Sequence, residues 1–279
     1  MLTLQTALRQ GSEILEKSGI PAPRLTAEVL LSHALRCDRA YLYAHGSDEL
    51  TRLAWIHYGR YLDERLRGKP TQYITKKQEF YGREFHVTAD VLIPRPETEH
   101  LVEAAIDVIR TRKDSRILDI GTGSGAIAIS LALETGAHVL ASDISAKALA
   151  IAKENRGRHK ARVSFFAGDL ASAVAACSID LLVSNPPYVP GADAANMQRE
   201  VRDWEPHIAL FAGDSGLEIY ERLIAEAAVI VRPGGRLMME LGYQSLDAVR
   251  NLLKQNWADI ETVFDLANLP RVIIAVRRF

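Results

Sequence analysis

Cysteine is nearly absent from this chain of 279 residues: Cys37 and Cys177 stand far apart, with no C-x-x-C pair. That excludes a disulfide framework and a thiolate zinc site, and it suits a reducing compartment. Neither sign of charge prevails, since 34 Lys and Arg stand against 35 Asp and Glu for a formal net charge of −1. With no global basic field, a general DNA or RNA binder is not expected. No apolar run approaches the roughly 20 residues that span a bilayer. The first ten residues carry no basic region followed by an apolar core, so no leader peptide is read there and a cytoplasmic protein is expected. None of the eight histidines falls in a ligand spacing, and no metal is assigned. What remains is a globular composition, 48% hydrophobic and 25% charged, long enough for one catalytic domain of ordinary size and a smaller one.

The first part of the chain has helical periodicity. Leu4, Leu8 and Leu15 share one face, Pro21-Ala22-Pro23 interrupts, and Ala27, Leu30, Leu31, Ala34 and Leu35 resume the pattern. A further helix is expected over 51–66, stopping at Gly68-Lys69-Pro70. Residues 1–80 hold 12 Lys or Arg against 9 Asp or Glu, an excess that reads as a solvated face. Alternating residues from Gln78 to Val87 around Gly82 predict a hairpin. Leu101, Val102, Ala105, Ile106 and Ile109 then mark another helix. From Arg116 onward, strand and helix patterns alternate, with strands near 116–120, 138–142, 163–167, 179–184 and 235–241. This alternation predicts an α/β fold with a mostly parallel sheet and a ligand at the carboxyl ends of its strands. The last two strands, near 260–266 and 271–277, have so short a link that they are expected to pair antiparallel. The expected organisation is a helical domain over 1–75, a hairpin linker over 76–96 and an α/β domain over 97–279. The basic stretches at 110–113 and 156–160 fall at helix-to-strand connections and read as solvated loops with cations near helix C-termini.

Two motifs carry the chemistry. The first is Asp119-Ile120-Gly121-Thr122-Gly123-Ser124-Gly125, between a strand-like Arg116-Ile117-Leu118 and a helix-like segment from Ala126 to Glu134. Strand, glycine turn and helix form the arrangement in which backbone N–H groups face a ligand at a helix N-terminus. Gly121, Gly123 and Ala126 also fit a loose G-x-G-x-x-A pattern, so the loop alone leaves NAD and S-adenosylmethionine both open. Asp119 shifts the balance, because a carboxylate there repels a pyrophosphate yet accepts hydrogen bonds from the amino group of a methionine moiety. Asp143 closes the next strand at the spacing where an acidic residue bonds ribose hydroxyls, the alternative being an N-cap for the helix starting near Ser145. After the strand ending near 167, Asp169 is placed to meet an adenine amino group and Leu170 to cover the adenine face, unless both are plain loop residues.

The second motif is Asn185-Pro186-Pro187-Tyr188, directly after an apolar strand. An amide or exocyclic amino nitrogen is a weak nucleophile, because its lone pair is delocalised into the adjacent π system. Two acceptors against its two N–H groups hold the nitrogen and favour rehybridisation. The Asn185 side-chain oxygen and the Pro186 carbonyl are such acceptors. Pro186 and Pro187 fix φ and lack donors, so the turn is stiff, and Tyr188 supplies a flat wall for a planar group. A plain turn after a buried strand explains the tetrapeptide by itself. With the glycine loop upstream, the pair reads as an S-adenosylmethionine-dependent methyltransferase acting on a planar nitrogen.

Four stretches give the chain a resemblance to the N5-glutamine methyltransferases of class-1 peptide chain release factors. They are Val91-Leu92-Ile93-Pro94-Arg95-Pro96-Glu97-Thr98-Glu99, the loop from Asp119 to Gly125, Ser184-Asn185-Pro186-Pro187-Tyr188-Val189, and Trp204-Glu205-Pro206-His207-Ile208-Ala209-Leu210 with the run 213–217. The resemblance spans essentially the whole chain. It implies a class I S-adenosylmethionine-dependent methyltransferase fold, Rossmann-like, with an N-terminal helical substrate-recognition domain and a hairpin linker. It further implies S-adenosyl-L-methionine as cofactor, S-adenosyl-L-homocysteine as product, and methylation of the glutamine amide in a Gly-Gly-Gln tripeptide of release factors. Gly121, Thr122, Gly123, Ser124, Gly125, Asp143, Asp169, Leu170 and Asn185 are then the expected cofactor residues. Asn185, Pro186, Pro187 and Tyr188 are the expected substrate residues, with Asn185 and Pro186 catalytic. Two positions depart from the family pattern: a tryptophan occurs in relatives where Leu170 stands, and a glycine is missing after Leu266.

The nearest rival is an adenine-N6 nucleic-acid methyltransferase, which solves the same NH2 problem with a similar motif. Such an enzyme holds a flipped or unpaired base and usually has a basic groove or a recognition insertion. The balanced charge, with no large insertion after the tetrapeptide, favours a protein substrate with no direct need for nucleic acid. A non-catalytic binding module is disfavoured by the intact acceptors, and a dehydrogenase by the lack of an evident hydride-acceptor site.

Overall fold

Thr3 begins the first helix, its hydroxyl accepting from Thr6 N at 3.2 Å, which satisfies one of the donors a helix start leaves unpaired. The computed structural model describes residues 2–111 and 115–279. The chain divides into two compact units, the first running to Lys77 and taking in Gln198–Trp204, the second made of the rest.

The first unit contains α1 (Leu4–Lys17), α2 (Pro23–Leu35), α3 (Arg39–Ala44), α4 (Arg52–Leu66) and α5 (Thr71–Thr75). Leu4, Leu8 and Leu15 are buried on α1, and Ala27, Leu30 and Leu31 on α2, as their spacing predicts. Thr51 caps α4 by accepting from Ala54 N at 3.3 Å. The short α3 and α5 escape a periodicity argument because neither completes two turns. Gly11 is buried on α1 because Tyr58, fully buried on α4, lies directly over it. Within the same unit, Arg65 Nη2 meets Glu200 Oε2 at 2.6 Å.

The second unit opens with the hairpin β1 (Lys77–Phe80) and β2 (Arg83–His86). Its turn is Tyr81-Gly82, with φ of 49° and 67°, the left-handed pair that suits the strand twist. There follow α6 (Glu99–Thr111), β3 (Ile117–Ile120), α7 (Ala126–Thr135), β4 (Val139–Asp143), α8 (Ala146–His159), β5 (Val163–Ala167), β6 (Ile179–Ser184) and the two-residue β7 (Val189–Pro190). The helix α9 (Arg199–Trp204) clusters with the first unit. Then come β8 (Phe211–Gly213), α10 (Glu218–Ile230), β9 (Val231–Glu240), α11 (Leu246–Leu253), β10 (Trp257–Phe264) and β11 (Pro270–Arg277).

Seven strands form one sheet in the order β10-β11-β9-β6-β3-β4-β5. Pairing is parallel from β9 to β5 and antiparallel for β11 with β9 and β10 with β11. Ile117 packs in the apolar cluster on one face, with α6 and α7, while Leu118 and Ile120 pack on the other with Tyr220 and Leu223 of α10. Strand order reverses between β3 and β6, so the cleft at the carboxyl end of that pair is where a ligand fits. β9 begins four residues before the expected start, because Pro233-Gly234-Gly235 is taken up in a register shift from Ile179↔Val231 to Leu181↔Arg236. The basic stretch at 156–160 puts its cations at a helix C-terminus as expected, but within the helix rather than in a loop: Arg156, Arg158 and His159 form the last turn of α8, where they complement the helix dipole. Of the other basic stretch, Arg110 lies in α6, and Arg112 and Lys113 lie outside the described residues. In the link between β10 and β11, where a glycine is missing, Asn268 takes the left-handed conformation with φ of 59°.

A methyl group on Gly11 would sit 1.9 Å from Tyr58 Oη. Alanine gains up to about 1 kcal/mol in helix propensity over glycine, but overpacking a closed core costs about 1–3 kcal/mol. Gly11→Ala is therefore expected to lower the midpoint of chemical unfolding, and adding Tyr58→Phe to recover part of the loss. An unchanged or raised midpoint for Gly11→Ala alone would contradict this packing.

Candidate active site

A cavity of about 300 Å³ opens at the carboxyl ends of β3, β4 and β6. Gly121 and Gly123 form one wall, Asp143, Ile144 and Ala148 a second, and Gly168, Asp169 and Leu170 a third. Asn185 and Pro187 close the end beside β6, while Asp90, Val91 and Leu92, with Pro206, Ile208 and Ala209, border it further.

The glycine loop departs from expectation in what its N–H groups do. Gly121 N and Thr122 N both donate to Ser142 O at 2.9 Å, Gly125 N donates to Thr122 O at 2.8 Å, and Gly123 N donates to Asp143 Oδ2 at 2.8 Å. Four donors of the loop are thus spent inside the protein, so the loop is no phosphate cradle. It keeps its shape by left-handed residues, Gly123 having φ of 54°. Gly125 is required for a second reason: a Cβ there would lie 3.0 Å from Ile129 Cδ1 and 3.3 Å from Ala152 Cβ, where α7 packs on α8.

Asp119 is fully buried and does not border the cavity. Period-two alternation puts it on the same face of β3 as Ile117, beneath the start of α7. Thr122 Oγ1 donates to its Oδ2 at 2.7 Å, and Oδ1 has no partner. Burial pushes this carboxyl up to about 7, with nearby Asp143 acting the same way against the Thr122 hydroxyl and the Ala128 N–H. Asp143 accepts from Gly123 N and, through Oδ1, from Ser145 N at 2.8 Å. Burial raises its pKa, and its backbone donors oppose the rise. Ser145 rather than Asp143 caps α8, accepting from Ala148 N at 3.2 Å.

At the other end, Asn185 Nδ2 donates to Thr98 Oγ1 at 3.2 Å, leaving the side-chain oxygen as the acceptor of this amide. Ser184, fully inside β6, donates to Ile120 O at 2.8 Å and ties the two strand ends together. Tyr188 lies on Gly242, where a Cβ would meet its ring at 2.7 Å. Val189 N donates to Leu210 O at 2.9 Å, so the turn after Asn185 is anchored by the β7–β8 pair.

Models of two families match the sequence, the PrmC N-terminal domain over residues 6–75 and the methyltransferase small domain over 99–202. The release factor glutamine methyltransferase of Koribacter versatilis is 44% identical over 275 residues, 98% of each chain. That of Nitratidesulfovibrio vulgaris is 42% identical over 282 residues, covering 99% of this chain and 95% of its own. The chain belongs to the release factor glutamine methyltransferase family. Its fold is the α/β methyltransferase fold that the motifs led us to expect. A crystal structure of a methyltransferase from Pyrococcus furiosus shares it at a TM-score of 0.54 and 17% identity, over 79% of this chain and 100% of that one.

Of the residues expected from sequence for a member of this family, Gly121, Gly123, Asp143, Asp169, Leu170, Asn185 and Pro187 line one cavity. Asp169 also accepts from Arg222 Nη2 at 2.8 Å, and Arg222 lines the same cavity. Thr122, Ser124 and Gly125 do not line it. Thr122 and Ser124 are buried, and Ser124 O accepts from Asn155 Nδ2 at 2.9 Å. Pro186 and Tyr188 continue the Asn185 turn outside this cavity. Sequence reasoning missed Asn155, a fully buried clamp that also bonds His86 through both its N–H, at 2.7 Å, and its carbonyl, at 3.0 Å. It missed Glu205 as well, which accepts from Ile93 N at 3.3 Å and from Arg95 Nη2 at 2.5 Å. That residue joins the two stretches bordering the cavity, and both had stood out in the sequence without a role.

Asp119 generates a pH prediction. Its folded-state value of about 7 exceeds the ordinary 3.8. Stability tied to the protonated group is therefore complete below the ordinary value and is lost as pH rises through the folded one. The stability difference between Asp119→Asn and the unaltered protein should shift in favour of the variant from about pH 4 to about pH 7 and stay level above. Thermal unfolding across that range checks it, and a difference independent of pH would contradict the assignment.

Proposed function

We propose that the protein transfers the methyl group of S-adenosyl-L-methionine to the side-chain N5 of the glutamine in the Gly-Gly-Gln tripeptide of class-1 peptide chain release factors. S-adenosyl-L-homocysteine is the other product, the reaction is cytoplasmic, and no nucleic acid is needed. Kinship with proteins named release factor glutamine methyltransferase supports the acceptor. The observation that carries the chemistry is Asn185, at the cavity end, with its NH2 engaged by Thr98 and its oxygen left to accept.

The cavity fits S-adenosylmethionine better than a dinucleotide. A pyrophosphate needs the loop donors that are already bonded, whereas ribose hydroxyls need acceptors, and Asp143 retains lone pairs on both oxygens. In this reading Asp143 holds the ribose, Asp169 meets the adenine amino group, and Leu170 with Ile144 covers the adenine faces. Gly121 and Gly123 allow close approach, while Thr122, Ser124 and Gly125 act through the shape of the loop. The bound cofactor supplies a methyl group on a sulfonium.

The chain's own residues then prepare the nucleophile. Asn185 Oδ1 and the Pro186 carbonyl accept from the two N–H groups of the glutamine amide and hold its nitrogen in line with the methyl group. Pro187 stiffens the turn, and Tyr188, fixed on Gly242, walls the amide plane. No base is required before attack, because the alkylated amide is strongly acidic and loses its proton afterwards. The helical domain over 1–75, which a family model matches over residues 6–75, contributes recognition of the protein substrate.

The direct test is labelled S-adenosylmethionine with unmodified release factor, followed by peptide mass spectrometry. Methyl label on the Gly-Gly-Gln glutamine is expected, and label on adenine in nucleic acid instead would overturn the reading. Asn185→Ala removes one preorganised acceptor and should lower single-turnover methylation by roughly 100- to 1000-fold, with a smaller loss of cofactor affinity. A rate near that of the unaltered protein would remove Asn185 from its role. Losing a hydrogen-bond partner costs about 1–3 kcal/mol, so Asp143→Ala should weaken cofactor binding by calorimetry. Unchanged affinity would take Asp143 out of the cofactor site.

A further inference from the structure

Glu240 is a buried carboxyl group, 3% exposed, at the end of a strand whose preceding residues are Leu237, Met238 and Met239. Nothing in the proposed reaction so far uses it. Ser184 pairs with Met239 in parallel, so the next residues, Asn185 and Glu240, stand side by side, Glu240 still paired with Val272 on its other flank. Thr98, 4% exposed, reaches both from the turn Pro96–Thr98. Its hydroxyl oxygen accepts from Asn185 Nδ2 at 3.2 Å, and the Thr98 and Asn185 side chains stand near enough to the Glu240 carboxyl to favour its charged form. One carboxyl oxygen, Oε2, is buried without a partner.

A carboxamide has two orientations of nearly equal shape that exchange two donors for an acceptor. The orientation decides whether Asn185 can serve at all. A substrate NH2 offers only donors, so Asn185 Nδ2 turned toward it would set donor against donor. We propose that Glu240, together with Thr98, is a positioning residue that fixes the Asn185 carboxamide with Nδ2 toward the carboxylate and Oδ1 toward the substrate nitrogen. The inverted orientation would press Oδ1 against an acceptor-only carboxylate that is itself buried, where an unmatched polar contact is costly. This role also accounts for an acid where an apolar residue would pack at less cost, and it rests on the reading of Asn185 as the acceptor for the glutamine amide.

Protonation weakens the device, because a neutral carboxyl can donate to Oδ1 and so tolerates either orientation. Burial pushes Glu240 up to about 7, and Glu97 acts in the same direction, against the Thr98 and Asn185 hydrogen bonds and the Arg271 charge. Tyr188 and Tyr220 are the other titratable groups that face it. The orienting form is the carboxylate, which prevails above the folded value. Methyl transfer should therefore fall as pH drops through about 7.

The test is single-turnover methylation of unmodified release factor by full-length protein at saturating labelled S-adenosylmethionine, from about pH 6 to about pH 9, with cofactor affinity measured in parallel. Glu240→Leu should slow transfer by about 10- to 100-fold, the range found when a partner that orients a functional side chain is lost, with little change in cofactor affinity. Glu240→Gln keeps an acceptor that cannot ionise. Like the protonated acid it also offers a donor to Oδ1, so it should transfer at the reduced low-pH rate throughout and lose the acid limb near pH 7. Glu240→Leu with an unaltered rate overturns the proposal. Should that variant fail to fold, Glu240→Gln decides alone, since an acid limb unchanged in it overturns the proposal equally. If the unaltered protein puts no methyl on the glutamine amide, the functional reading itself falls, and the two failures are thus distinguishable.

Discussion

Ile120 pairs with Ser142 on one flank and with Ser184 on the other, and Ser184 pairs in turn with Met239. The residue after each of these strand positions is Gly121, Asp143, Asn185 or Glu240. Parallel register therefore delivers a glycine, two carboxyls and a carboxamide to one edge at one level, where strand order reverses. A slip of one residue in β6 would turn Asn185 to the opposite face of the sheet. The hydroxyl of Ser184 on Ile120 O holds that register at the end where it matters. Everything proposed about the chemistry depends on this row.

The row is also an electrostatic arrangement. Asp119 and Glu240 are buried carboxyls whose proton affinities rise to about 7, one beneath the glycine loop and one beside Asn185. Their neighbours are mostly neutral donors: the Thr122 hydroxyl for Asp119, and the Thr98 hydroxyl and Asn185 amide for Glu240. The cavity beside them presents the Asp143 carboxyl and Asn185, while the Arg222 guanidinium that lines it is bonded to Asp169. It suits the hydroxyls of a ribose and the NH2 of an amide, and it is hostile to phosphate oxygens. In the proposed reading the same feature favours a methyl donor over a dinucleotide, a choice that the glycine spacing alone left open.

Much of this was legible in the sequence. The alternation of strand and helix from Arg116 was visible as periodicity, and the antiparallel pair β10–β11 followed from a link too short for a crossover. The glycine loop and Asn185 announced themselves because a turn and an acceptor are local properties. What stayed hidden is non-local. Asn155 joins the loop to the hairpin through hydrogen bonds 31 and 69 residues apart in sequence, and mid-helix it looks like any surface asparagine. Gly242 reads as a turn glycine until Tyr188 is seen lying on it. Glu240 follows an apolar run and looks like the first exposed residue after it, whereas it is the last residue of β9, paired with Val272 and 3% exposed. The loop N–H groups were misjudged for the same reason: their partners, Ser142 and Asp143, belong to a different strand.

The central claim is that Asn185 offers its oxygen to a glutamine nitrogen. A crystal structure with S-adenosylhomocysteine and a peptide containing Gly-Gly-Gln tests it most directly. The account predicts the glutamine side-chain nitrogen within hydrogen-bond reach of both Asn185 Oδ1 and the Pro186 carbonyl, with Asn185 Nδ2 still turned toward Thr98 and Glu240. A glutamine bound elsewhere, or held by Asn185 Nδ2 through its carbonyl oxygen, would contradict it.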